Sequence, residues 1–261
     1  MSRIDLRTVD LKAINSMTKY PSIPTYHSLD PRNGGLREEC VEFTGPVTLT
    51  EKVDGTNGRI VVLPDGSYLI GSREELLYAR GDLIGNPALG IVDALRPVAE
   101  TLTRVAEDER ITVYYLEVYG GKVTGASRNY TGSRQVGHRL FDVAELDDPA
   151  TLLGWPAERI AAWRDGGGQR FLPEDDLLSR ATALGLAPAP RLDTVAAADL
   201  PREVEKMSAY LADRAPRTLV ALDGPAGPSE GIVLRSADRS VIAKARFQDY
   251  ERTLRRRAAR R

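Results

Sequence analysis

Short apolar runs rich in β-branched residues, set off by turn residues, mark most of the strands along this chain. VTLTEKV from Val47 and RIVVL from Arg59 read as strands with DGTNG as the turn between them. PDGS then leads into SYLIGS, so an antiparallel meander is expected. ITVYYLEVYG and HRLFDV are two further strands, and EGIVLRS pairs with SVIAKARF around the turn ADRS. Helical spacing appears from Ile4 to Ile14 and again at Ile91, Leu95, Val98, Leu102 and Val105. Asn86-Pro87 reads as the cap and first residue of that second helix, and Pro97 is expected to kink or split it.

The stretch 145–229 differs in character. It is rich in Ala, Pro and Asp, with Gly166–Gly168 as a linker and helical patches near 173–184 and 200–213. Gly185 is expected to end the first patch. The expected fold is α+β, antiparallel sheets flanked by helices. One domain spans 1–253 with a helical and loop insertion at about 145–229, and 254–261 is a basic tail.

Composition narrows the class. At 261 residues the chain can bury a sizeable core, and its 42% apolar and 28% charged residues suit a globular protein. No apolar run approaches the roughly 20 residues of a membrane span. MSRIDLRTVDLKAIN lacks the apolar centre of a signal peptide, so a cytoplasmic protein is expected. Cys40 alone makes no internal disulfide, and His27 and His138 carry no metal-ligand spacing. Net charge is −1, yet the last ten residues, RTLRRRAARR, hold six arginines and no acid.

Four charged clusters fall on or beside the expected strands: Glu51-Lys52 with Asp54-Gly55, Glu117, Glu230-Gly231, and Lys244 with Arg246. Any one of them alone fits a structural ion pair, since buried charges need partners. Together they offer a lysine beside a tight glycine turn, two carboxylates for a hard divalent cation, and a late cationic pair. That set suits nucleotidyl transfer. A lysine nucleophile must be neutral, and at a pKa of ~10.4 only about one in a thousand is neutral near pH 7.5. Nearby cations such as Lys244 and Arg246 would favour the neutral amine and offset charge on an α-phosphate.

EKVDGTNGR resembles the nucleophile motif of the covalent nucleotidyltransferases, which include DNA ligases, RNA ligases and mRNA capping enzymes. GSREELLY, YYLEVYG, RLFDV, EGIVLRS and IAKARF follow in the order of that superfamily's later motifs, and the likeness runs from about Lys19 to Thr253. The chain is most similar to ATP-dependent RNA ligases of the branch that contains the phage and trypanosome-editing dsRNA-type enzymes. Glu51 before the lysine, Thr56-Asn57 after the glycine, and KYPSI carry that choice.

The resemblance implies an ATP-grasp-like adenylation domain of the ligase type, without an OB-fold. It implies ATP and Mg²⁺ (or Mn²⁺), a lysyl–AMP intermediate on Lys52, and an RNA repair substrate with 5′-phosphate and 3′-hydroxyl ends. Nucleotide contacts are expected from Glu51, Asp54, Gly55 and Asn57, from Arg73 on the ribose, and from Phe141 stacked on the purine. Glu117 and Glu230 are expected to serve the metal, and Lys244 and Arg246 the α-phosphate. Arg246 stands where the family usually has a second lysine, which changes the geometry of phosphate contact. The C-terminal domain of the nearest ligases is missing, so a partner protein supplying it is expected, and Arg252, Arg255, Arg256 and Arg257 are expected to hold RNA. The alternatives are an end-adenylylating or capping-type transferase that does not join strands, and a nucleic-acid binding module with a degenerate ligase core. Arg59 reads equally as a phosphate contact or a solvated strand residue. Trp155 and Trp163 read as packing, and Cys40 as a passive side chain.

Overall fold

A computed structural model describes residues 4, 6–86, 90–102 and 109–259. In chain order these form α1 (Leu11–Thr18), β1 (His27–Leu29), β2 (Leu36–Cys40), β3 (Pro46–Lys52), β4 (Thr56–Val62), β5 (Tyr68–Ser72), β6 (Leu76–Ala79) and β7 (Asp82–Leu83). There follow α2 (Ile91–Leu102), β8 (Ile111–Gly120), β9 (Val136–Leu146), α3 (Pro149–Leu153), α4 (Ala157–Asp165), β10 (Arg170–Phe171) and α5 (Glu174–Ala183). The chain closes with β11 (Arg191–Ala196), α6 (Val204–Arg214), β12 (Gly231–Ser236), β13 (Ile242–Arg246) and α7 (Phe247–Ala258).

The strands build a large sheet in the order β10-β9-β8-β4-β5-β6-β7, a smaller one in the order β11-β3-β12-β13, and the β1-β2 pair. All pairings between these strands are antiparallel. The α+β class is as expected, and no helix of the described residues is long and apolar enough to cross a membrane.

The large sheet is covered on both faces. Ile91, Leu95 and Ala99 of α2 and Leu177 of α5 pack on Ile60, Leu116 and Leu140. Ile14 and Met17 of α1, Leu152 of α3 and Ile160 of α4 pack on Val61, Val113 and Ala144 behind. Strands buried on both faces read as continuous apolar runs, which is why RIVVL and ITVYYL lack clean alternation. The small sheet has one covered face, where Val47, Leu49, Ile232 and Leu234 meet Val204, Met207 and Leu211 of α6 and Tyr250 of α7. Its other face is left to the functional site.

The structure corrects several expectations. VTLTEKV and RIVVL do not form a hairpin: β3 pairs with β11 and β12, whereas β4 pairs with β5 and β8. Residues 53–55 carry the chain from one sheet to the other. The stretch 145–229 is no separate insertion, because β10 extends the large sheet beside β9 and β11 edges the small sheet beside β3. Residues 254–258 are the last turns of α7 and not a tail. The second helix runs unbroken through Pro97 from Ile91, while Pro87 and Val105 lie outside the described residues. The β4–β5 and β12–β13 hairpins fall where the turns PDGS and ADRS placed them.

Candidate active site

Thr50 and Lys52 alternate to the uncovered face of the small sheet, as do Val233, Arg235 and Lys244 on its neighbours. This face and the ends of β4, β8 and β9 enclose a cleft of about 340 Å³. Its lining includes Lys52, Asp54, Gly55, Asn57, Arg73, Glu117, Phe141, Glu230 and Lys244. A segment from Tyr20 to Ile23 closes one side, and it is held because Lys244 N–H donates to Pro24 O and Tyr26 N–H donates to Lys244 O.

Lys52 ends β3 at the crossover between the sheets, and its Nζ donates to Glu230 Oε2 at 2.5 Å. Glu230 precedes β12, and Gly231 sits directly opposite Lys52 in the ladder. That position takes only glycine, since a Cβ there would lie 2.1 Å from Ala245 O. Gly55 is under the same constraint, with a Cβ falling 2.3 Å from Val118 O, so the crossover can press against β8. At this contact Gly55 N–H donates to Glu117 Oε1 at 3.0 Å and Asp54 N–H donates to the Tyr130 hydroxyl at 2.7 Å. The turn from Lys52 to Gly55 is thereby tied to β8 and to the segment after it.

The electrostatics follow from crowding. Burial, reinforced by the like charges of Glu230 and Asp54, pushes the Glu117 carboxyl up to about 7 against the pull of Lys52 and the Gly55 N–H. Burial also raises Glu230, although Lys52 offsets part of this. Lys244 is lowered, first by burial and then by Arg246, Lys52 and Arg73.

Asn57 Oδ1 is buried in the cleft with no hydrogen-bond partner among the described residues. A buried acceptor left open is costly, so it is suited to a donor on a bound molecule. Arg73 is exposed at the mouth, with one N–H on Ser22 Oγ at 3.0 Å. Phe141 presents its ring edge-on to Tyr20, with centroids 5.0 Å apart.

Other expected site residues are placed differently. Glu51 lines the cleft, yet its buried carboxylate turns to the opposite face of β3 and accepts from Thr218 Oγ1 at 2.5 Å and Leu219 N–H at 2.8 Å. Its side chain therefore anchors the 218–229 loop. Arg246 does not line the cleft; its guanidinium holds Asp249 through bonds of 2.8 and 3.2 Å at the start of α7. Arg59 is fully buried and donates to Ser72 O, Arg73 O and Asn15 Oδ1, so it is neither a phosphate contact nor solvated.

The four C-terminal arginines all have protein partners. Arg252 holds Asp249 and Gly34 O, Arg255 holds Glu251, Arg256 holds Asn33 O, and Arg257 joins Glu38 and Glu205. Arg252, Arg256 and Arg257 dock α7 onto the β1–β2 hairpin and α6, whereas Arg255 pairs within the helix. Reading along the sequence missed Tyr20, Tyr130 and Arg235 as parts of the site's frame. KYPSI holds Tyr20 and EGIVLRS holds Arg235, so those two had a signal in the motifs, and Tyr130 had none.

The residues fit a divalent cation of the hard, oxygen-seeking kind. Glu117 and Glu230 crowd together, and such an ion typically takes one or two carboxylates and completes its shell with water and substrate phosphates. Among the described residues no three His, Cys, Asp or Glu side chains make a ready-formed metal cluster.

Solved structures share this arrangement of sheets. Naegleria gruberi RNA ligase, in a mutant structure with ATP and Mn, matches 90% of this chain and 62% of its own at 15% identity and a TM-score of 0.54. An archaeal ATP-dependent RNA ligase matches 89% of this chain and 49% of its own at 18% identity and a TM-score of 0.54. The fold is thus that of a ligase-type nucleotidyltransferase. A family model described as RNA ligase matches residues 45–247, and the chain belongs to that family. It spans 62% or less of the length of these two relatives. No curated protein matches its sequence.

Proposed function

We propose that this chain carries the adenylation chemistry of an ATP-dependent RNA ligase of the dsRNA-type branch, with residues 1–253 as its catalytic domain. The observation that supports this best is Lys52 at the floor of a cleft shared with Glu117, Glu230 and Lys244. Lys52 Nζ attacks the α-phosphorus of ATP; a P–N bond forms, the bond to the β-phosphate oxygen breaks, and pyrophosphate leaves. Attack needs the free lone pair of the Lys52 amine, whose Nζ donates to Glu230 Oε2.

Lys244 lines the cleft from the same sheet face as Lys52 and offsets charge on the α-phosphate. Asn57, Arg73 and Phe141 receive the nucleoside, with Asn57 Oδ1 open to a donor and the Phe141 ring available to the base. Asp54 and Gly55 fix the crossover that aims Lys52. Glu117 and Glu230 would hold Mg²⁺ or Mn²⁺, which supplies charge neutralisation for the phosphates when bound. A 5′-phosphate oxygen of RNA then takes the AMP from Lys52, breaking the P–N bond. A 3′-hydroxyl displaces AMP to form the phosphodiester.

The test is sealing of a 5′-phosphorylated RNA end beside a 3′-hydroxyl in a nicked duplex, with ATP and Mg²⁺. Joined product with stoichiometric AMP release is expected. Accumulation of adenylylated ends without joining would favour the transferase that does not seal.

A further inference from the structure

Three of the four arginines predicted to hold RNA, Arg252, Arg256 and Arg257, are tied to other elements of the fold, which directs attention to positive charge elsewhere on the surface. Between Glu117 and Asp142 the chain carries no acidic residue at all, yet it holds Lys122, Arg128, Arg134, His138 and Arg139. This stretch leaves the end of β8, passes a short 3-10 turn at Ser127–Asn129 and returns as β9. Gly121 N–H donates to Gln135 O, which closes the neck of the loop and sets Lys122 and Arg134 side by side in sequence register. Both are exposed, as is Arg128. None of the three makes an ion pair or side-chain hydrogen bond among the described residues. Arg134 holds a left-handed backbone at φ 70°, fixed by the fold and not by a contact of its own side chain.

The loop sits at the site itself. Tyr130, within it, takes the hydrogen bond from Asp54 N–H, one turn from Lys52. The acid nearest to it, Asp223, is already occupied by Gly132 N–H, Thr131 Oγ1 and Ser133 Oγ. Those bonds brace the loop and hold Asp223 as an anion there, bonded to loop groups and not paired with Lys122, Arg128 or Arg134. Asp54, Glu117 and Glu230 face the cleft and not this surface. Exposed cations without partners, among Ser, Thr, Asn and Gln, are the chemistry that meets a phosphate backbone without reading bases.

We propose that the loop between β8 and β9, through Lys122, Arg128 and Arg134, binds the phosphate backbone of the RNA strand presented to Lys52. This rests on the RNA-ligase reading above and adds the place where the polynucleotide lies. Each phosphate neutralised on a single strand contributes about 0.7 to the slope of log affinity against log salt.

The test is a triple variant, Lys122→Gln, Arg128→Gln and Arg134→Asn, the last chosen because asparagine tolerates the left-handed backbone. Binding of a 5′-phosphorylated single-stranded RNA is followed by fluorescence anisotropy from 50 to 300 mM KCl, about the range over which phosphate contacts are screened. The salt slope should fall by about 2, and sealing of a pre-adenylylated RNA should weaken in parallel. Labelling of Lys52 from ATP, which involves no RNA, should keep its wild-type rate and so report an intact fold. An unchanged slope in the variant, with normal binding by the wild type, would overturn the proposal alone. Absence of salt-dependent RNA binding by the wild type would overturn the RNA reading with it.

Discussion

Lys52 Nζ and Glu230 Oε2 lie 2.5 Å apart at the junction of the two sheets, with 23% and 19% of their side chains exposed. Each is the other's charge partner at that junction. A half-buried pair of this kind is costly to break from one side. Glu230→Gln should therefore lower adenylylation at least about 100-fold, a loss of the size seen for single transition-state electrostatic contacts. Circular dichroism should show an unchanged fold. A variant that unfolds, with Glu117→Gln behaving in the same way, would return both carboxylates to a structural role.

Lys244 and Arg246 should separate. Lys244 lines the cleft and Arg246 holds Asp249, so Lys244→Ala should cost far more turnover than Arg246→Ala. The second variant should instead lower thermal stability by loosening the start of α7. Single-turnover rates and melting curves on both check this, and equal losses of rate would put Arg246 back on the phosphate.

The Glu117 carboxyl gives a pH dependence with a definite sign. Its folded value, about 7, stands above its ordinary 4.5, so the folded protein binds the proton more tightly than the unfolded chain. The stability this contributes is fully present below pH 4.5 and is lost as pH rises through about 7. In EDTA the melting temperature should fall over that window more steeply for the wild type than for Glu117→Gln. Parallel profiles would contradict the account of crowding at Glu117.

Behind Phe141, buried Asp142 accepts from Arg239 Nε at 2.8 Å and Tyr20 hydroxyl at 2.9 Å, and faces Arg235 at 3.4 Å. Asp142→Ala takes the carboxylate from buried Arg239, while Arg235 keeps Glu174, and should destabilise by about 3–5 kcal/mol. Chemical denaturation measures it. A loss under about 1 kcal/mol would mean the network relaxes without its centre.

Local pattern reached far in this chain, and its failures have one cause. The hairpins β4–β5 and β12–β13 were legible because turn residues and strand partners are adjacent in sequence. The separation of β3 from β4 was not, because DGTNG is good turn chemistry in either topology. Only distant β12 and β8 decide which sheet each strand joins. Motif order likewise brought Lys52, Glu117, Glu230 and Lys244 to one cleft, yet could not say which face Glu51 takes. Thr218 and Leu219 determine that from across the fold. The C-terminal arginines read as free charge for the same reason, since Glu38, Glu205 and the carbonyls of Asn33 and Gly34 are remote in sequence.

The central claim is that Lys52 carries the nucleotide. Incubation with α-labelled ATP and Mg²⁺, followed by denaturing electrophoresis and peptide mapping, tests it most directly. Label should stay on the denatured chain, map to the peptide holding Lys52, and be absent from Lys52→Ala, since no other group in the cleft replaces that amine. Label that persists in Lys52→Ala, or that maps to Lys244, would contradict the account.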